Sequence, residues 1–114
     1  MDILIVETEK KELKQLCEYV SVIYPNCRIH SFQDGQKALE FASGQPVDVC
    51  FTEVNTGTSS GFALTRVVRE KNKGALINLI SDCREYALDA WKLHVNDYLL
   101  KPITRESILH TRYR

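Results

Sequence analysis

VDVCF, residues 47–51, is a short and almost wholly apolar run in the middle of the chain. Four further runs of this kind occur, DILIV at 2–6, CRIHSF at 27–32, ALINLI at 75–80 and DYLL at 97–100. The first, third and fourth runs in chain order are nearly continuous in hydrophobicity, which is typical of strands buried on both faces of a parallel sheet. We therefore expect five strands.

Segments with helical periodicity lie between these runs. In the first segment, apolar residues recur at three- and four-residue steps, namely Leu13, Leu16, Cys17, Val20 and Ile23. Polar residues from Thr8 to Glu12 suit the start of this helix, and the sequence Tyr24-Pro25-Asn26 stops it.

Three more helices are predicted in DGQKALEFASGQP, GFALTRVVREKNKG and REYALDAWKLH. The inward residues of the first two are Ala38, Leu39, Ala42, Leu64, Val67 and Val68, and the third carries Ala87, Ala90 and Trp91 on one stripe. A fifth helix begins near Thr104 and is expected to be cut short at Arg114. The alternation of strand and helix predicts an α/β fold, a doubly wound parallel sheet with helices on both faces.

Composition limits the class of protein. The 114 residues are 44% hydrophobic and 26% charged, which predicts one globular domain over residues 1–114. Fifteen basic residues balance fifteen acidic ones, so no positive field attracts nucleic acid or an anionic membrane. The chain has no signal-peptide pattern and no apolar run of membrane-spanning length, and we expect a cytoplasmic protein. The four cysteines lack redox or zinc-ligand spacing, so we expect reduced thiols, with Cys17 and Cys50 in the core.

Charged and polar residues follow the predicted strands. In an open parallel sheet, the carboxyl ends of the strands form the functional edge. Glu7 follows the first strand, Glu53 the third, Ser81 the fourth and Lys101 the fifth. Each residue taken alone has an ordinary explanation, because the acids can be solvated, the serine can cap a helix and the lysine can extend to the surface. Together they favour a charged site at one edge of the sheet, with Lys101 either turned inward to it or extended to the surface.

Several kinds of site are disfavoured. The segment VETEKKE after the first strand has no glycine, which argues against dinucleotide and P-loop sites. No Ser-His-Asp or Cys-His arrangement is present, and His30, His94 and His110 are not at metal-ligand spacing. We therefore expect no enzyme.

Five motifs point to a known family, ILIVETE, FQDGQKALEF, VDVCFTEVNTGTSSGF, LINLIS and DYLLKPI. Along its whole length the chain resembles the response-regulator receiver domain, the CheY-like module of two-component phosphorelay signalling. The segment EYALDAWKLHVNDYLLKPI is similar to receivers attached to LytTR-type DNA-binding domains. The resemblance implies a flavodoxin-like, five-stranded parallel sheet of order 2-1-3-4-5.

The resemblance also implies roles for four residues. Lys101 would turn inward to a phosphoryl group, and Pro102 would hold the turn that aims it through a cis peptide bond. Ser81 would donate its hydroxyl to a phosphoryl oxygen. Tyr98 would be the side chain that swings inward when this happens.

The chain departs from the family pattern where phosphate and metal bind. Glu53 stands at the position of the phosphorylated aspartate, and Thr8 replaces the second acid of the first-strand pair. Glu7 matches the first acid of that pair, and Asn55 can offer its backbone carbonyl as a further ligand. With Glu7, Glu53 and Asn55 as its ligands, Mg²⁺ binding is expected to be weak or lost. Asp82 adds negative charge beside the site, which disfavours a phosphoryl group.

The family's partners follow from the resemblance. They are a sensor histidine kinase, as the ancestral partner, and an attached LytTR-type DNA-binding domain, with the chain as the receiver part of a longer regulator. The fourth helix, fifth strand and fifth helix form the expected output and homodimer face, which includes Trp91, Lys92, Tyr98, Arg105 and His110. We expect no direct nucleic-acid contact by this domain.

Three alternatives remain open from the sequence. A working receiver would use Glu7 and an acceptor such as Glu9 or Asp82. A stand-alone dimerisation or docking module would work without phosphate. A flavodoxin-like small-ligand binder would need the loop NTGTSSG, residues 55–61, as a phosphate cradle.

Overall fold

The computed structural model describes residues 1–113, within which five strands alternate with five helices. The strands are β1 (Asp2–Val6), β2 (Arg28–Phe32), β3 (Val49–Glu53), β4 (Leu76–Ser81) and β5 (Asp97–Leu100). The helices are α1 (Lys10–Ile23), α2 (Gly35–Gly44), α3 (Gly61–Lys71), α4 (Ala87–Lys92) and α5 (Arg105–Arg112). All five predicted strands are confirmed, each within two residues of its predicted start.

The sheet is parallel throughout and has the order β2-β1-β3-β4-β5, as predicted. Its register places Val6 beside Thr52 and Glu53 beside Ile80. Ser81 lies beside Leu100, one residue before Lys101. The carboxyl ends of β1, β3, β4 and β5 therefore meet at one edge of the sheet.

Alternate residues of the central strands enter two separate cores. Ile3 and Ile5 pack in the layer that holds α1 and α5, whereas Leu4 and Val6 pack in the layer that holds α2, α3 and α4. All four side chains are fully buried, and burying each one contributes about 1.5–3 kcal/mol. This two-sided burial explains the nearly continuous hydrophobicity of the central strands.

Side-chain caps define the starts of three helices. Asp34 accepts from the Gln36 amide at α2, and Ser60 accepts from the Ala63 amide at α3. Thr104 caps α5. At α1 the N-cap residue is Glu9, and its side chain makes no capping hydrogen bond.

The fourth helix differs from its prediction. The segment at 84–94 forms only a six-residue helix, and of the predicted stripe Ala90 is buried whereas Ala87 and Trp91 are exposed. The helix ends after Lys92, His94 has a positive φ of 55°, and the Arg69 guanidinium from α3 binds the carbonyl oxygens of Leu93 and His94 at 2.6 and 2.7 Å. Trp91 is 73% exposed, so it belongs to the surface and not to the core.

The remaining expectations about the chain have mixed outcomes. Helix α5 begins after Thr104 as predicted, and Arg114 lies outside the described residues. The four cysteines form no disulfide, and burial raises the pKa of the Cys50 thiol to about 12. Cys17 is only partly buried. Among residues 1–113, no helix is both long enough and apolar enough to cross a membrane.

Candidate functional site

Lys101 lies at the centre of the charged edge of the sheet. Its backbone amide donates to the Ser81 carbonyl oxygen at 2.8 Å, and its peptide bond to Pro102 is cis. The side chain turns inward and is 20% exposed. Its ammonium Nζ lies 2.8 Å from Glu7 Oε1, 2.8 Å from Glu53 Oε2 and 2.9 Å from Glu12 Oε2. The structure thus brings Lys101 together with the acids that follow β1 and β3.

Glu53, the last residue of β3, has donors on both carboxylate oxygens. Oε1 accepts from the backbone amide of Thr8 at 2.6 Å and from the Thr8 hydroxyl at 2.9 Å. Oε2 accepts from Lys101 Nζ. The carboxylate is therefore held between the turn after β1 and the turn after β5.

Glu7 is 2% exposed and also has both oxygens engaged. Oε1 pairs with Lys101, and Oε2 accepts from the Glu9 amide at 3.0 Å. Burial raises the pKa of Glu7 to about 7, although the Lys101 ammonium and the Glu9 amide favour the charged form. The nearby Glu53 carboxylate also contributes to this rise in the Glu7 pKa.

The pKa values of Glu53 and Lys101 shift in the directions that favour their ionised forms. Burial opposes the charge on Glu53, but hydrogen bonds from Lys101 and Thr8 outweigh it and hold the pKa of Glu53 below its usual value. Burial likewise opposes the charge on Lys101, and the facing carboxylates outweigh it and raise the Lys101 pKa. Of the Glu7–Glu53 pair, Glu7 is therefore the carboxyl that takes up a proton first.

The loop after β4 connects Ser81 to Tyr98. Ser81 is 6% exposed, and its Oγ accepts from the Cys83 amide at 3.2 Å. The N-cap residue of α4 is Tyr86, so Ser81 does not cap that helix. The Tyr98 hydroxyl donates to the Cys83 carbonyl oxygen at 2.6 Å, and its ring is half-buried. Tyr98 therefore points inward and is tied to this loop.

The loop after β3 uses its own polar groups internally. Asn55 Oδ1 accepts from the Gly57 amide at 3.1 Å, and Gly57 has a φ of 81°, which favours glycine. Three other amides donate to carbonyl oxygens of the same segment, Thr56 to Ser59, Thr58 to Thr56 and Gly61 to Val54. These contacts engage four of the seven loop amides, which argues against the phosphate cradle that a flavodoxin-like ligand binder would need.

A cleft of about 540 Å³ opens over this edge. Its lining residues include Thr8, Glu53, Asn55, Ser81, Asp82 and Lys101. Asp82 is exposed, so its charge faces the cleft from the β4 side. Within residues 1–113, no group of three or more His, Cys, Asp or Glu side chains is arranged to hold a metal ion.

The sequence reasoning missed two features of this site. Glu12, in the first turn of α1, is the third carboxylate that contacts Lys101. Its position one turn after Glu9 is the sequence feature that could have indicated this contact. At position 8 the sequence predicts only the loss of an acid, but Thr8 donates two hydrogen bonds to Glu53. Nothing in the spacing of Thr8 and Glu53 indicates that contact.

The parallel sheet, the inward lysine and the acids at the strand ends together define a receiver domain. The chain belongs to the response regulator receiver domain family, which matches residues 3–112. The family's characteristic order of strands, 2-1-3-4-5, is the order observed.

Similar proteins include the protein MrkE of Klebsiella pneumoniae, 27% identical over 110 residues that make up 96% of this chain and 41% of MrkE. The transcriptional regulatory protein YpdB of Escherichia coli strain K12 is 27% identical, over 95% of this chain and 44% of YpdB. The chain therefore spans less than half the length of these curated relatives.

Two solved structures are also similar. The crystal structure of the MrkE response regulatory domain has a TM-score of 0.85 and 28% identity, and the match covers 97% of this chain and 91% of that one. The receiver domain of the sensor histidine kinase PA1611 from Pseudomonas aeruginosa PAO1 was solved with a magnesium ion coordinated in its active-site cleft. It has a TM-score of 0.78 and 21% identity, over 96% of this chain and 91% of that one.

Proposed function

We propose that this chain is the receiver part of a LytTR-type transcription regulator in which the carboxylate of Glu53 takes the place of a phosphorylated side chain. In this proposal Glu53 occupies the phosphoacceptor position. The domain then acts through protein contacts on an attached DNA-binding domain and has no catalytic activity of its own. The relationship to YpdB, a transcriptional regulatory protein, supports the role in transcription.

The hydrogen bond of 2.8 Å between Lys101 Nζ and Glu53 Oε2 is the observation that carries this proposal. A glutamate reaches roughly 1.5 Å further than an aspartate, one carbon–carbon bond. Its carboxylate can therefore meet the lysine that a phosphoryl group would otherwise meet. Glu53 supplies about one negative charge, whereas a phosphoryl group supplies about 1.5–2. The mimicry is therefore partial, and we expect the domain to rest partly in its active conformation.

Magnesium does not fit the site as it is arranged. Receiver domains bind Mg²⁺ in the active site, and such sites need carboxylate oxygens that are free to act as ligands. Here all four carboxylate oxygens of Glu7 and Glu53 accept from Lys101, Thr8 or Glu9. Thr8 supplies no carboxylate, and the Asn55 side chain is used by the loop. These contacts support weak or absent Mg²⁺ binding and little dependence on a histidine kinase.

The proposed output face combines α4, β5 and α5. It exposes Leu88 by 62% and Trp91 by 73%, and these side chains are larger and more apolar than a free surface needs. Tyr98 links this face to the site through Cys83 in the loop after β4. We place the contact with the output domain, or with a second copy, on this face.

Beryllofluoride, which takes the place of a phosphoryl group on a receiver aspartate, provides the test. Trp91 is a suitable fluorescent reporter because it lines a groove together with Tyr98. The wild-type protein is expected to show no fluorescence change with Mg²⁺ and beryllofluoride. A variant with Glu53→Asp and Thr8→Asp restores both acids of the family pattern and is expected to respond.

Two further variants complete the comparison. Glu53→Asp alone separates the effect of position 53 from that of position 8. Glu12→Asp is the matched control, because it shortens a different side chain that contacts Lys101 and lies in α1, outside β3. Its fluorescence is expected to stay unchanged, like that of the wild type. A response from the wild type would contradict the proposal. If the double variant also stays silent, the fold has lost the switch and the chain is better described as a docking or dimerisation module.

A further inference from the structure

The contact between Thr8 and Glu53 deepens the proposed function and concerns what neutralises the Glu53 charge. Residue 8 gives two hydrogen bonds to one carboxylate oxygen, at 2.6 Å from its amide and 2.9 Å from its hydroxyl. Hydrogen bonds to a charged acceptor are about twice as strong as those between neutral groups. Thr8 is therefore a strong donor to Glu53 and not merely a missing acid.

The turn that carries Thr8 is held in place from its other side. Gln33 Nε2, in the loop after β2, donates to the Thr8 carbonyl oxygen at 3.1 Å. The Thr8 residue itself is exposed, so its side chain makes little contribution to the apolar core. Its substitution should therefore report on the contact with Glu53 and not on packing.

We propose that Thr8 is the positioning residue that makes this site independent of a divalent cation. Its amide and hydroxyl hold Glu53 Oε1 so that Oε2 meets Lys101, and they supply the stabilisation that a metal ion would otherwise give. The inference rests on the proposed function only in taking Glu53 as the substitute for a phosphorylated side chain. The hydrogen-bonding role of Thr8 is independent of that assignment.

Charge explains why the residue type at position 8 decides whether the site needs a divalent cation. Lys101 is already shared by three carboxylates, those of Glu7, Glu12 and Glu53. A carboxylate in place of the Thr8 hydroxyl would lie about one hydrogen-bond length from Glu53 Oε1. Two carboxylates at that distance cannot both stay ionised without a cation or a shared proton. A threonine removes that repulsion and adds a donor.

Thermal unfolding of position-8 variants with and without MgCl2 tests this inference. Thr8→Val keeps the amide and loses the hydroxyl, and we expect its Tm to fall on the order of 5 °C. Thr8→Ser keeps both donors and should unfold near the wild-type Tm. Thr8→Asp should lose stability in EDTA and regain it in MgCl2, since a ligand that binds only the folded state raises the Tm. Neither the wild type nor Thr8→Val should respond to MgCl2.

Two controls make the result specific. In a Glu53→Met background, which has no acceptor at position 53, Thr8→Val should cost little, so that the two substitutions are not additive. Ser43→Asp adds an acid on α2 outside the cleft and should show no gain in MgCl2 over a sodium salt of equal ionic strength. Additive effects of Thr8→Val and Glu53→Met would overturn the inference, as would a Thr8→Asp variant indifferent to MgCl2. Phosphorylation of the wild type would instead overturn the proposed function and leave the Thr8–Glu53 contact standing.

Discussion

At the scale of single residues, one ammonium group organises the site. Lys101 is paired with Glu7, which is almost completely buried, and with Glu53, whose side chain is 12% exposed. Its third partner, Glu12, has a side chain that is 49% exposed. Solvent screens the third pair, so Lys101 contributes to stability mainly through the two inner carboxylates.

Replacing Lys101 by methionine should be strongly destabilising. The substitution leaves two carboxylates close together without their cation, and breaking a buried ion pair from one side has a large cost. We expect Lys101→Met to lower the free energy of unfolding by about 2–4 kcal/mol at neutral pH. Glu12→Gln removes only the exposed pair and should change it by about 0–1 kcal/mol. Urea unfolding followed by circular dichroism measures both, and equal losses for the two variants would contradict this assignment.

Glu7 predicts a specific pH dependence of stability. Its pKa is raised from 4.5 to about 7 in the folded protein, so the folded state binds this proton more tightly than the unfolded state does. The contribution of Glu7 is therefore most favourable below pH 4.5 and is lost as the pH rises to about 7.

The neutral variant Glu7→Gln should lose less stability than the wild type across that pH window. The measurement is the difference between the two unfolding free energies at a series of pH values. Two parallel curves would show that the Glu7 pKa is not raised. The pKa of Glu53 is lowered from 4.5 in the folded protein, so Glu53 titrates below this pH window and the difference within the window reports on Glu7.

Single residues also mark the limit of what the sequence predicts. Lys101 could be identified because the motif DYLLKPI resembles the family's lysine and proline motif, which implies an inward lysine. The two hydrogen bonds from Thr8 could not be predicted, because they depend on how a turn positions one amide and one hydroxyl. A residue type alone does not fix that geometry.

At the scale of elements, close contacts between the ends of strands and the starts of helices hold the site residues in position. The amide of Gly61, the first residue of α3, donates to the Val54 carbonyl oxygen at 2.7 Å. A Cβ atom at Gly61 would lie 2.3 Å from the carbonyl oxygen of Glu53. Helix α3 can therefore begin directly beneath Glu53 only with glycine at this position.

The substitution Gly61→Ala should move α3 away from β3 and destabilise the domain by about 1–3 kcal/mol, as other overpacked sites do. Gly44, the last residue of α2, is the matched control because nothing lies within 4 Å of its added Cβ. Gly44→Ala should have little effect or stabilise by up to about 1 kcal/mol. Thermal unfolding of both variants checks this, and a neutral Gly61→Ala would contradict the close approach.

The elements also show which patterns are reliable. The strands were predictable because β1, β3 and β4 are buried on both faces along most of their length and are therefore mainly apolar. The extent of α4 was not predictable from periodicity, because its end involves a positive φ at His94 and hydrogen bonds from Arg69, more than twenty residues earlier in the chain, to the carbonyl oxygens of Leu93 and His94. Periodicity within a segment does not contain such a long-range contact.

At the scale of the whole molecule, the fold and the chemistry of the site are separable. The order of strands and the two cores depend on apolar residues of the strands and helices. The polar site lies at the edge of the sheet, where Glu53 contacts both Thr8 and Lys101. In the proposed function, substitutions at this edge change how the domain is switched and leave the fold intact.

In the proposed function, the exposed face of α4, β5 and α5 contacts the output domain. Tyr98 contacts both the loop beside the site and the groove beneath Trp91. The proposal therefore assigns to Tyr98 the link between the site and this face. The chain covers 44% of YpdB, so the remainder of such a regulator is where an output domain would lie.

The most direct test of the central claim is the intact mass of the purified domain after incubation with acetyl phosphate and MgCl2. If Glu53 replaces the phosphorylated side chain, the wild-type mass stays unchanged, while the variant with Glu53→Asp and Thr8→Asp gains one phosphoryl group. A stable phosphoryl group on the wild-type protein, mapped by peptide analysis to Glu9, Asp82 or Glu53 itself, would contradict the claim and establish a working phosphotransfer receiver.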